Sequence, residues 1–309
     1  MTKFEHGRCA VFTGLSAFPL TPVGADGVDE DRLHELVARL DRAGVDSIGV
    51  LGSTGSYAYL TRDERRRVAE TAVRAAGETP VLVGIGALAT ADVLRCAEDA
   101  QAAGAGAVLL APVSYQPLTD DEVYGLFAEV TVSLSVPLCV YDNPATTHVT
   151  FSDDLHARIA ALPHVGSIKI PATPTDPHRA RERVTRLRAH LPDHVTIGVS
   201  GDRAAAAGLI AGCEGWYSVL GGVWPRVCLA LTRAARRGDS TAALDLTRRL
   251  DPVWQLFDRY GSLRVASAIA EHAGLVGSPN LPRPVTGLPA DAHRRVRQVV
   301  EHLDPDVGR

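Results

Sequence analysis

The sequence predicts an α/β fold, a (β/α)8 TIM barrel with an appended C-terminal helical region, on three observations. Short runs of strand-forming residues alternate with longer amphipathic segments, eight such runs can be counted, and beyond about residue 223 the pattern turns helical throughout. Eight repeats in roughly 220 residues match the size of a closed parallel barrel. The expected division is a catalytic barrel of residues 1–223 and a helical region of residues 224–309 packed on it.

Each element follows from local sequence. The strands are expected near "CAVFTGL" (9–15), "SIGVL" (47–51), "PVLVGI" (80–85), "GAVLLA" (106–111), "PLCVY" (137–141), "VGSIKI" (165–170), "VTIGV" (195–199) and "GWYSVL" (215–220). After the second strand, "TRDE" sets Thr61 and Glu64 at capping-box spacing, which predicts a helix from there to Gly77. Glycine or proline restarts the chain before later strands, in "AGVDS", "GETPV", "AGAGAV" and "SVPL". The last third reads as helices from "VWPRVCLALTRAARRGD" to "SLRVASAIAEHAGL". A proline-rich connector, "SPNLPRPVTGLP" (278–289), then leads to a final short helix.

Composition narrows the function. With 309 residues and 46 % hydrophobic content the chain can bury a sizeable core, and a net charge of -4 argues against a nucleic-acid partner. The basic runs "RDERRR" (62–67) and "RARERVTRLR" (179–188) interleave with acids at helical spacing, as solvated helix faces do. Five cysteines, at 9, 96, 139, 213 and 228, are odd in number and lack C-x-x-C spacing, so neither a disulfide framework nor a zinc site is expected. The N-terminal residues carry no apolar core of signal-peptide length, and no run of about 18 apolar residues occurs, so a cytoplasmic protein without membrane contact is expected.

One residue is out of keeping with the rest. The chain has 30 arginines and only two lysines, Lys3 near the N-terminus and Lys169 in the middle of the apolar "VGSIKIPA". An arginine keeps its proton near neutral pH, whereas a lysine in an apolar site can release it and act as a nucleophile. In a barrel of this kind, chemistry gathers at the C-terminal ends of the strands. There "GSTGS" (52–56), Tyr141, Lys169 and "SGD" (200–202) would share one mouth.

Taken singly, each has an ordinary reading as a turn, a packing tyrosine or a snorkelling lysine. Gly84 and Gly86 form a G-x-G too short to suggest a dinucleotide, Asp142 and Asn143 read as turn formers, and Asp202 reads as a helix cap or a rim residue. His148 is weighed as a surface residue, a specificity residue or a second acid/base.

Together, "AFPLTP" (17–22), "GVDSIGVLGSTGSYAYLTRDER" (44–65), "PVLVGIGALAT" (80–90), "VYDNPATT" (140–147), "VGSIKI", "SGD" and "YSVLGGVWP" (217–225) resemble the dihydrodipicolinate synthase and N-acetylneuraminate lyase family, class I pyruvate-dependent lyases and aldolases. The resemblance covers nearly the whole chain. It implies that Lys169 forms a Schiff base with pyruvate or another 2-keto acid, that Tyr141 supplies the proton and that Ser53 relays it. Thr54 and Gly55, with the amides of "STG" opening a helix, would bind the substrate carboxylate, and Thr146, His148 and Tyr217 would line the remainder of the pocket. It further implies keto-acid and aldehyde substrates, no metal or organic cofactor, and a homotetramer built as a dimer of dimers.

The chain also departs from the family pattern. Ser56 stands where these synthases usually carry glutamate, and Thr146 where they carry the arginine that clamps a second carboxylate. In "PVSYQP", Val113 and Ser114 fill the positions of the usual tyrosine pair, with Tyr115 one step later. Four readings follow: a Schiff-base lyase or aldolase, a 2-keto-3-deoxy sugar acid dehydratase, an authentic 4-hydroxy-tetrahydrodipicolinate synthase, and a non-catalytic keto-acid-binding protein. The first is favoured, because a mere binder has little need of an amine able to form an imine.

Overall fold

The computed structural model describes residues 10–307, with side chains through residue 303, so Lys3 and Cys9 lie outside the described residues. Eight parallel strands close into a barrel: β1 (Gly14–Ala17), β2 (Ser47–Val50), β3 (Val81–Gly84), β4 (Ala107–Leu110), β5 (Leu138–Tyr141), β6 (Val165–Ile170), β7 (Thr196–Val199) and β8 (Gly215–Ser218). Each strand neighbours the next in sequence, and β8 pairs with β1 to close the ring.

β1 begins later than its sequence suggests. Ala10–Phe12 form a 3-10 turn, and the strand starts only at Gly14, whose φ is +76°. A Cβ at Gly14 would lie 2.3 Å from the Asp46 carboxylate, which accepts the Leu15 amide. Phe12 is thereby left to plug the base of the barrel against Gly166, where an added Cβ would meet its ring at 2.7 Å.

The helices between strands are α1 (Glu30–Ala43), α2 (Arg62–Ala75), α3 (Thr90–Ala102), α4 (Asp120–Thr131), a single turn α5 (Pro144–Thr147), α6 (Asp153–Ala160), α7 (Pro177–Arg188) and α8 (Ala205–Ile210). Thr61 caps α2 with both halves of the capping box in place. α9 (Pro225–Arg236) packs on β1, α1 and α8 and so occupies the eighth position of the helix ring, although it lies beyond residue 223. The appended helices are then α10 (Ser240–Arg249), α11 (Asp251–Tyr260), α12 (Ser262–His272) and α13 (Ala290–Val307). α10 packs on α8 and α9, while α11 and α12 pack on each other and on α13.

Strand alternation separates two apolar layers. Residues such as Val140, Ile168 and Ile170 face the helices, whereas Phe12, Phe18, Leu82, Leu109, Cys139, Tyr141 and Tyr217 fill the barrel interior. Two strands carry glycine at their third position, "SIGV" in β2 and "TIGV" in β7, and both glycines lie under aromatic rings. A Cβ at Gly49 would sit 2.2 Å from the Phe18 ring, and one at Gly198 2.1 Å from the Tyr217 ring. The glycines therefore create the space in which these two rings reach the upper barrel.

The basic run of α2 is only partly a solvated face. Arg62 pairs with Asp99, Arg66 with Asp63 and Glu70, and Arg67 with Glu30. Arg65 departs from this reading: it is 8 % exposed, donates to the carbonyls of Gly86 and Gly84 at 3.0 Å each, and lies over the Tyr57 ring at 5.5 Å. Burial lowers its pKa from the ordinary arginine value. The reason is positional, since Arg65 shares the inward stripe of Val68, Ala69 and Ala72.

Candidate active site

β5 and β6 pair in a register that sets Tyr141 beside Lys169, and β7 sets Gly198 on the other side of Lys169. Because Ile168 and Ile170 face the helices, Lys169 points into the barrel, where it is 5 % exposed. Its Nζ lies 4.0 Å from the centre of the Tyr141 ring, 4.2 Å from that of Phe18 and 5.4 Å from that of Tyr217. Among the described residues the amine has no ion-pair or hydrogen-bond partner.

The Tyr141 hydroxyl joins this amine to the loop after β2. It accepts a hydrogen bond from Asn143 Nδ2 at 2.9 Å and lies 3.5 Å from Ser53 Oγ, to which it can donate. Asn143, read from sequence as a turn former, is thus tied directly to the phenol. Asp142 is also more than a turn residue. Its amide donates to the Lys169 carbonyl at 3.0 Å, and its buried carboxylate lies 3.3 Å from Nε2 of the fully buried His156, which stacks on Phe151. No motif pointed to His156, because a histidine inside an amphipathic helix carries no signal of its own.

The Gly52–Ser56 loop is held in a costly conformation. Leu51 and Ser56, at its two ends, both have φ of 56°, and Leu51 is a buried, bulky side chain. Such residues persist where the surroundings over-determine them, at about 1–3 kcal/mol each. Gly55 cannot carry a side chain, since a Cβ would lie 2.7 Å from the Leu51 nitrogen. At Gly84 a Cβ would come within 1.8 Å of the Leu51 carbonyl oxygen, and Arg65 braces the carbonyl of that same glycine. In this G-x-G, which has no meaning for a dinucleotide, Gly84 is therefore the shelf on which the loop rests, while Gly86 lies against the Tyr57 ring and the Ala111 carbonyl. Gly84→Ala is expected to destabilise the protein by about 3 kcal/mol or more, because the clash is with backbone. A thermal melt that does not move would contradict this.

The loop differs from expectation in one respect. It leads into a 3-10 turn, Tyr57–Tyr59, and α2 begins only at Arg62, so the "STG" amides do not open a helix. Thr54 and Gly55 are buried and Ser53 half-buried beside the Tyr141 hydroxyl. Burial and the neighbouring Tyr141 push the Tyr57 phenol up to about 12.

The other sequence candidates are placed differently. Tyr217 contributes its ring to the lysine, while its hydroxyl is held below by Ser167 Oγ at 2.8 Å and Cys139 Sγ at 3.3 Å. Thr146 and His148 are exposed on and just after α5. Thr146 is hydrogen-bonded at 3.4 Å to the carbonyl of Asn143, and His148 ends the turn with φ of 59°. Asp202 neither lines the rim nor caps the helix that follows it. It is buried, and accepts from the Trp216 indole and from the Val219 and Leu220 amides, which pins the exit of β8. Burial raises its carboxyl above the usual range. In "PVSYQP", Val113 packs against the barrel-interior cluster and Tyr115 is 89 % exposed.

Residues 11–303 match the model of the Dihydrodipicolinate synthetase family. A 4-hydroxy-tetrahydrodipicolinate synthase of Phenylobacterium zucineum is 33 % identical over 78 % of this chain and 80 % of its own length. That of Methylococcus capsulatus is 31 % identical over 91 % of this chain and 94 % of its own. The crystal structure of a dihydrodipicolinate synthase from Agrobacterium tumefaciens superposes with a TM-score of 0.91 at 44 % identity, covering 95 % of this chain and 99 % of that one. The closed eight-stranded barrel, the strand-borne lysine and the match along nearly the full length agree: the chain belongs to the dihydrodipicolinate synthetase family of lyases.

Proposed function

We propose that this protein is a Schiff-base-forming lyase or aldolase acting on pyruvate or another 2-keto acid, with Lys169 as the covalent nucleophile. The observation that carries the reading is the buried amine beside a phenol that is itself linked to Ser53. The Lys169 amine adds to the ketone carbon to give a carbinolamine. Its hydroxyl then leaves as water on taking a proton from Tyr141, which leaves a carbon–nitrogen double bond with positive charge at Nζ. The Tyr141 phenolate is stabilised by Asn143 Nδ2 and recovers its proton through Ser53. That proton comes from the carbon next to the imine, whose deprotonation yields the enamine; in the cleavage direction it comes instead from the hydroxyl on the carbon that departs as an aldehyde when the carbon–carbon bond breaks. Every step uses an amine, a phenol or a hydroxyl, so the mechanism needs neither a metal nor an organic cofactor.

Thr54 and the backbone amides of Ser53 to Gly55 are assigned to the substrate carboxylate, on a loop whose conformation is held by the close approach of Leu51 to Gly84 and by Arg65. At the other end, Thr146 offers a neutral hydroxyl. A buried carboxylate that lacks a bidentate cationic partner loses on the order of 2–5 kcal/mol, and at an exposed position such as Thr146 the loss is smaller, about 1 kcal/mol or roughly fivefold to tenfold in use of that substrate. Aspartate semialdehyde is therefore expected to be a poorer acceptor than neutral or polyhydroxylated aldehydes, and Thr146→Arg should narrow the gap. Comparing kcat/KM across a panel of aldehydes and 2-keto-3-deoxy acids tests this. A wild-type preference for aspartate semialdehyde would overturn it and make lysine-pathway synthesis the activity.

A cytoplasmic setting is supported by Cys96, Cys139, Cys213 and Cys228, which are all free and buried. Burial pushes the Cys139 thiol up to about 11 and the Cys213 thiol up to about 12, so neither is a ready nucleophile. Among the described residues no helix is long and apolar enough to cross a membrane. A homotetramer is proposed on family membership, and light scattering that returns only monomer contradicts it.

A further inference from the structure

Phe18 has no polar atom and the Tyr217 hydroxyl is engaged below, on Ser167 and Cys139, so neither residue brings a proton to the reaction. Both rings nonetheless lie against the reacting nitrogen, at 4.2 Å and 5.4 Å, and Gly49 and Gly198 give up their side chains to admit them. We propose that Phe18 and Tyr217, with the face of Tyr141, form an aromatic cage that binds the positive charge of the Schiff base, and that Phe18 and Tyr217 are catalytic residues of imine formation. The proposal rests on the 2-keto-acid reading above and deepens it.

The cage discriminates among the states of one nitrogen. Condensation of the ammonium with a ketone forms the carbon–nitrogen double bond, breaks the carbon–oxygen double bond and releases water, and the single positive charge is kept. What changes is the shape of the cation. An ammonium carries three N–H donors, and among the described residues none finds an acceptor, so its dehydration is poorly offset. The iminium carries one N–H and spreads its charge onto carbon, which suits the negative faces of three rings within reach of the charge. A neutral enamine gains nothing from those faces. The cage therefore favours the iminium over the species that precede and follow it.

The test is borohydride trapping read by intact mass at increasing pyruvate, in wild type, Phe18→Leu, Phe18→Met and Tyr217→Leu, with lactate binding measured in parallel. Lactate has the carboxylate but no ketone, so it reports the pocket without the imine. The two Phe18 variants are expected to raise the pyruvate concentration for half-maximal trapping about tenfold, and Tyr217→Leu, which removes the more distant ring, about threefold, with lactate binding unchanged in all three. Either Phe18 variant suffices if the other does not fold. An unchanged midpoint, or equal losses for pyruvate and lactate, overturns the cage and leaves the Schiff-base reading intact. No adduct in the wild type overturns both.

Discussion

Replacing Lys169 by alanine lowers turnover of the 2-keto-acid substrate by roughly five orders of magnitude or more, the scale on which loss of a covalent nucleophile acts. Lys169→Arg restores none of it, although the charge and much of the volume are kept, because a guanidinium does not give up its proton to become a nucleophile. That contrast separates chemistry from electrostatics. The amine has no ion pair to leave behind among the described residues, so the alanine variant should remain folded, which a thermal melt checks. Turnover of either variant within tenfold of wild type contradicts the role given to Lys169.

Tyr141→Phe slows imine formation by about 10²- to 10⁴-fold, the range of general acid–base catalysis, while changing keto-acid binding little. The ring remains, and with it the face presented to Nζ at 4.0 Å; what is lost is the hydroxyl between Asn143 and Ser53. Rapid-quench trapping gives the rate of imine formation, and binding of lactate gives the affinity. Equal losses in both would make Tyr141 a packing residue.

Much of this site could be read from the sequence because its signals are local. A lone lysine in an apolar strand, in a chain with 30 arginines and only one other lysine, marks position 169, and the strand-ending tyrosine and the Gly-Ser-Thr-Gly loop follow from their order along the barrel. The capping box at Thr61 fixed the start of α2, as N-cap chemistry is confined to four residues. What escaped depends on long-range contact. Phe18 lies 151 positions before Lys169 in the chain and meets it only through barrel closure and the empty face of Gly49. The burial of Arg65 escaped for the same reason, since the acid-interleaved run read as a solvated face and its acceptors, the carbonyls of Gly84 and Gly86, belong to another strand end. Asp202 read as a helix cap or a rim residue for the same reason, because its partners Trp216, Val219 and Leu220 are supplied by β8 and its exit.

The most direct measurement is peptide mass spectrometry of the wild-type protein after incubation with pyruvate and borohydride. One reduced pyruvyl group on the peptide that carries Lys169, absent from Lys169→Ala, is the expected result. A wild-type protein that stays unmodified, or an adduct that persists in Lys169→Ala, would contradict covalent catalysis at this amine.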